Sequence, residues 1–147
     1  MPPARPASRR RVIAALAAGA VASGVSPRAL SADNLRVVEI RVYKLKPGVR
    51  DRFLALFGGG VLEMLQRHRI VVLGHGPSKR DADSCFLMRA YPSAEARNEQ
   101  LKSFYGSDEW KRKYDAAATE MIETYNTLVL DAGDPALAAL AKVVASA

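Results

Sequence analysis

Residues 36–45 read RVVEIRVYKL, and their alternation decides the fold. Val38, Ile40 and Val42 fall on one side, and Glu39, Arg41 and Tyr43 on the other. Period two with β-branched residues is a strand. Working outward, Lys46-Pro47-Gly48 is turn chemistry, with Pro47 fixing its own φ and Gly48 permitting the bend. Val49 to His68 then reads as a helix, with Phe53, Phe57, Val61 and Leu65 each four apart and Leu54 and Leu62 widening the stripe. Its basic end, Arg67, His68 and Arg69, suits the negative pole of the helix dipole.

Gly58, Gly59 and Gly60 interrupt that helix. A phosphate-cradling loop would need them between a strand and a helix start, with a following Lys and Ser or Thr. The stripe instead continues in phase from Phe57 to Val61, so the helix runs through the triplet. Each glycine costs a helix interior about 1 kcal/mol relative to alanine. Two offsetting roles stay open: a kink or close backbone approach to the sheet, and a widened cavity beside the helix.

IVVLGHG at 70–76 is a second strand, PSKRDAD at 77–83 a polar connector, and SCFLMRAY at 84–91 a third strand; so short a link favours an antiparallel hairpin. Ser93 caps a helix over 94–105, Gly106 and Ser107 break and recap it, and the piece from Asp108 starts acidic and turns basic. YNTLVL at 125–130 is the fourth strand. The order β-α-β-β-α-β predicts an α+β, ferredoxin-like domain: a four-stranded antiparallel sheet with two helices on one face. If the helices cover Val38, Ile40 and Val42, the other face presents Glu39, Arg41, Tyr43, Leu87, Arg89 and Tyr91. Such a face is too apolar for plain solvent surface and too charged for a core. The expected solution is a second copy packed sheet to sheet, a dimeric α/β barrel. A wet ladder of charge pairs is the alternative.

The 147-residue chain carries a net charge of +7, which at first suggests a nucleic-acid or anionic-membrane binder. Locating the charges removes that suggestion. Residues 1–32 hold Arg5, Arg9, Arg10, Arg11 and Arg28 and no acid, whereas residues 33–147 hold 17 Lys plus Arg and 15 Asp plus Glu, 17 − 15 = +2. A basic segment, the soft apolar run VIAALAAGAVA and then small residues form an export signal, and Ser8-Arg9-Arg10-Arg11-Val12-Ile13 resembles the twin-arginine type. The expected organisation is an export signal at 1–32, one domain at 33–130, and a tail at 131–147 able to form a short helix. The mature protein is expected in the periplasm or outside the cell, with no nucleic-acid partner and no stable membrane insertion. No run reaches the ~18 to 20 apolar residues of a membrane span. Cys85, the lone cysteine, allows no intramolecular disulfide and sits in an apolar strand, where a packed thiol is the expectation.

VVEIRVYKLKPGVRDRFLALF, a strand-turn-strand leading to LMRAYPSAEARNE, and SDEWKRKY, taken together and in order, resemble the NIPSNAP family, a branch of the dimeric α/β barrel superfamily. The resemblance spans roughly residues 36–130. It implies the fold and a homodimer more firmly than a reaction. The wider superfamily includes haem-degrading and quinol-forming monooxygenases, haem proteins and small isomerases, which leaves haem open as a cofactor; the residues themselves call for none.

His75, between Gly74 and Gly76 at a strand end, is the candidate catalytic residue, since its accessible imidazole could ligate haem or move a proton. Arg41 and Arg89, near Tyr43 and Tyr91, are the candidate binding residues for a carboxylate or phosphate; the rival role is pairing with Glu39. No set of residues with metal-ligand spacing stands out. Trp110 is expected to anchor its helix on the sheet. Two functions remain open: a binding protein for a small molecule or protein partner, and a cofactor-independent monooxygenase or isomerase with its cavity between sheet and helices.

Overall fold

The computed structural model describes residues 34–145, so the proposed export signal lies outside the described residues. Strand β1 (Val37–Leu45) leads through the Pro47-Gly48 turn into helix α1 (Arg50–Leu56), a wide π-helical turn (Phe57–Val61) and α2 (Leu62–Arg67). Strands β2 (Val71–Pro77) and β3 (Ser84–Tyr91) form the expected hairpin. Helices α3 (Ala94–Gly106), α4 (Asp108–Lys113) and α5 (Asp115–Met121) follow, then β4 (Ile122–Asp131) and α6 (Pro135–Ala145). The sheet order is β2-β3-β1-β4 with every pair antiparallel, which is the ferredoxin-like arrangement. None of the described helices is long and apolar enough to cross a membrane.

Local chemistry sets the breaks in the helical layer. The Ser93 hydroxyl accepts from the Ala96 N–H and the Ser107 hydroxyl from the Trp110 N–H, so α3 and α4 each start on a serine cap worth about 1 kcal/mol. At Gly59 and Gly60 the backbone leaves helical geometry, Gly60 with φ 117°, and the Tyr114 hydroxyl donates to the Gly59 carbonyl at 3.1 Å. Tyr114 itself stands at the break between α4 and α5, with φ −125°. The close approach made by the triplet is thus to a tyrosine of the second helical run rather than to the sheet.

The sheet faces are the reverse of the sequence expectation. Tyr43, Leu45, Leu87 and Tyr91 lie under the helices and are buried, and Glu39 and Arg89 are wholly buried among them. The opposite face carries Val38, Ile40 and Val42 opposite Leu130, Leu128 and Asn126 of β4, with Val42 and Leu128 about half exposed (46% and 54%). Volume and charge pairing account for the reversal. The odd-numbered face holds the larger aromatic and aliphatic groups, and its charges are directly opposed across the strands, Glu39 against Arg89, so they neutralise each other on burial. Met64, Leu65, Ile70, Phe104 and Met121 complete the core on that side, each large apolar side chain contributing about 1.5–3 kcal/mol.

Candidate functional site

Between this charged and aromatic sheet face and the helices lies a cavity of about 390 Å³. Phe57 and Leu65 from the first helical run, and Phe104 and Trp110 from the second, give it apolar walls. The Phe104, Tyr105 and Trp110 rings pack on one another with centroids 4.9–5.1 Å apart. Trp110 thus packs against rings of α3, where an anchor on the sheet was expected, and lines the cavity; its Nε1 donates to Asp115 Oδ1 at 3.1 Å.

The sheet side is polar and cationic. Glu39 is bonded to Arg89 through both Nε (3.1 Å) and Nη2, and to Arg97 through Nε (2.6 Å) and Nη2. Burial alone would raise the Glu39 pKa, but Arg89, Arg41 and Arg97 together outweigh burial and hold the carboxyl below its ordinary value. Arg41 reaches the cavity by another route. Its Nε donates to Thr127 Oγ1 (3.2 Å), its Nη1 to the Tyr105 hydroxyl (3.0 Å), and its guanidinium lies 4.9 Å from the Tyr125 ring centroid. Its Nη2 stands 3.8 Å from Glu39 Oε1, beyond hydrogen-bond reach. The Tyr105 oxygen also accepts from Arg89 Nη1 at 3.3 Å. Burial, then the neighbouring Tyr105, push the Tyr43 phenol up to about 12 against the opposing pull of Arg41 and Arg89, so it stays protonated at neutral pH.

Of the binding residues expected from sequence, Arg41, Tyr43 and Arg89 line this cavity. They sit beneath the helices, so the open-face location expected for them is wrong. The predicted rivalry at the arginines resolves differently for each: Arg89 is the structural partner of Glu39, and Arg41 is not hydrogen-bonded to it. Tyr91 is wholly buried outside the lining, with its hydroxyl lacking a hydrogen-bond partner in the structure. His75 is exposed and stacked on Phe57 with centroids 4.9 Å apart; it does not line the cavity. Among the described residues no histidine lines it. Sequence reasoning missed Tyr105 and Tyr125. Tyr105 had a signal, since Leu101, Phe104 and Tyr105 share one helix face at i, i+3 and i+4.

A ferredoxin-like sheet with helices on one face and a half-open cavity between the layers defines an α+β protein. The NIPSNAP family model matches residues 38–132, and the chain belongs to the NIPSNAP family. Solved structures agree in fold. A NIPSNAP family protein from Agrobacterium tumefaciens is 18% identical, with 68% of this chain and 88% of that one covered at a TM-score of 0.62. A second protein of that family and organism, described as of unknown function, is 19% identical over 67% and 88% at 0.61. An uncharacterized NIPSNAP domain protein from Burkholderia xenovorans is 18% identical over 64% and 91% at 0.58. A comparison with curated proteins finds no match.

Proposed function

We propose that the protein is an exported homodimer whose cavity binds a small, largely apolar molecule. The observation that carries this is the cavity itself: about 390 Å³, within the ~300–1,000 Å³ usual for small-molecule sites, with aromatic walls and a few polar groups gathered at the sheet. Trp110, the chain's one tryptophan, lines it and reports its filling. Titration with 1-octanol should change Trp110 emission saturably, and Ala118→Phe, which fills the cavity from α5, should abolish the response. A linear, non-saturating response in the parent protein would overturn the binding reading.

Support for the dimer comes from the open sheet face, where Val42 and Leu128 remain half exposed beside Ile40. The expected surface for pairing is therefore the even-numbered face. Light scattering should give the mass of two chains, reduced to one by Val42→Glu with Leu128→Glu; a parent protein scattering as one chain would sink the dimer. Export rests on the arginine-led N-terminal segment, and fusion of residues 1–32 to a reporter should deliver it across the inner membrane.

A second reading, a cofactor-independent monooxygenase or isomerase, draws on the Tyr43 and Tyr105 side chains in the lining, now in place of His75. Oxygen consumption with a quinol that is lost in Tyr105→Phe would favour it over binding alone.

A further inference from the structure

The charge count around Glu39 does not balance. Three guanidiniums, Arg41, Arg89 and Arg97, surround one carboxylate, and Arg89 and Glu39 are wholly buried. Arg89 and Arg97 hydrogen-bond both carboxylate oxygens, leaving Arg41 in a longer ion pair with Glu39 at 3.8 Å and hydrogen-bonded to neutral groups, a threonine hydroxyl and a tyrosine hydroxyl, beside an aromatic face. The Arg41 side chain is only 13% exposed, so water screens it little. Among the described residues Asp115 is the one acid in the cavity lining, and it already accepts from the Trp110 indole. Beside Arg41, the Tyr105 oxygen accepts from two guanidiniums, which leaves its own O–H to donate to a third group. A largely buried cation with unused donors, flanked by a hydroxyl proton and facing apolar walls, matches an anionic oxygen on an apolar body.

Resting on the reading of the cavity as a binding site, we propose that its ligands are small organic acids, with the carboxylate received by the Arg41 guanidinium and the Tyr105 hydroxyl and the hydrocarbon part against Phe57, Phe104 and Trp110. Glu39 and Arg89 are positioning residues: their pair orients Tyr105 through the Arg89 Nη1 bond.

Three probes of equal length separate the charge from the cavity: octanoate, 1-octanol and octylammonium, each titrated against the full chain and followed by Trp110 emission. Octanoate should bind at least tenfold more tightly than octanol, and octylammonium more weakly than either. Arg41→Met, which keeps the length of the side chain and removes its charge, should bring octanoate to the level of octanol; saturable octanol binding by the same variant shows that it is folded. Tyr105→Phe should weaken octanoate severalfold and by a larger factor than octanol. Equal binding of octanoate and octanol, or an octanoate preference that survives Arg41→Met, would overturn the acid assignment and leave the cavity reading standing. Failure of all three probes would remove both.

Discussion

Gly60 offers the sharpest quantitative test of the helix read through the glycine triplet. Its φ of 117° is one that side-chain-bearing residues rarely adopt, and a Cβ built there would overlap the Tyr114 hydroxyl, inside the 3.0 Å that real Cβ atoms keep from other groups. Gly60→Ala must then accept backbone strain of about 1–3 kcal/mol. It must also displace the Tyr114 bond to the Gly59 carbonyl, worth about 0.5–1.5 kcal/mol. The expected destabilisation is about 2–4 kcal/mol. Two residues earlier, Gly58 is helical and a Cβ there meets nothing within 4 Å, so Gly58→Ala should stabilise by up to ~1 kcal/mol. Urea unfolding at fixed protein concentration, followed by Trp110 emission, measures both. Tyr114→Phe should remove only the hydrogen-bond share, and in that background Gly60→Ala should cost less than it does alone. If Gly60→Ala lies within about 0.5 kcal/mol of the parent, or if Gly58→Ala is equally damaging, the account of this turn is wrong.

Glu39→Ala leaves the buried guanidiniums without their counter-ion and should cost about 3–5 kcal/mol in the same assay, far more than Arg41→Met, which lowers an excess of positive charge. Because the Glu39 pKa is depressed in the folded chain, the unfolded chain takes up its proton first. This contribution is therefore complete above the ordinary value of 4.5 and is lost as pH falls through the lower native value. Urea midpoints from pH 7 to 3 should fall more steeply for the parent than for Glu39→Gln, and parallel slopes would contradict the assignment. Cys85, 1% exposed and with its thiol pushed up by burial to about 11, should be alkylated at pH 8 only as fast as the chain unfolds; labelling at the rate of a free cysteine would refute its packing.

The order of strands and helices was legible because each element carried its own period and its own stops. The side of the sheet that faces inward was not. Period two divides β1 into two faces without ranking them, and β-branched Val38, Ile40 and Val42 looked like the inner one. The deciding facts were non-local: Cys85 and Leu87 come beside Tyr43 only once β3 is in register, and Glu39 becomes affordable in the interior only opposite Arg89. The wide turn was half written in the sequence. Phe53, Phe57, Val61 and Leu65 recur every four residues, and on a helix of 3.6 residues per turn such a row drifts by about 40° at each step. All four are nonetheless buried, because the π-helical turn takes up extra chain at the glycines. Of the cavity, Arg41, Tyr43 and Arg89 were found from their shared strand face, whereas Tyr125 reaches Arg41 from an edge strand whose register no local pattern discloses.

Strand β1 alternates between two unlike environments at every residue. Arg41 and Tyr43 shape the cavity, and Ile40 and Val42, a single step along the chain, shape the outer surface. The two surfaces can accordingly be rewritten independently in the laboratory or by selection: codons 40 and 42 change what the sheet presents outward, codons 41 and 43 change what the interior accepts. A deletion of one residue within the strand would exchange the two sets at once, so this short segment tolerates substitution in either series far better than any change in its length.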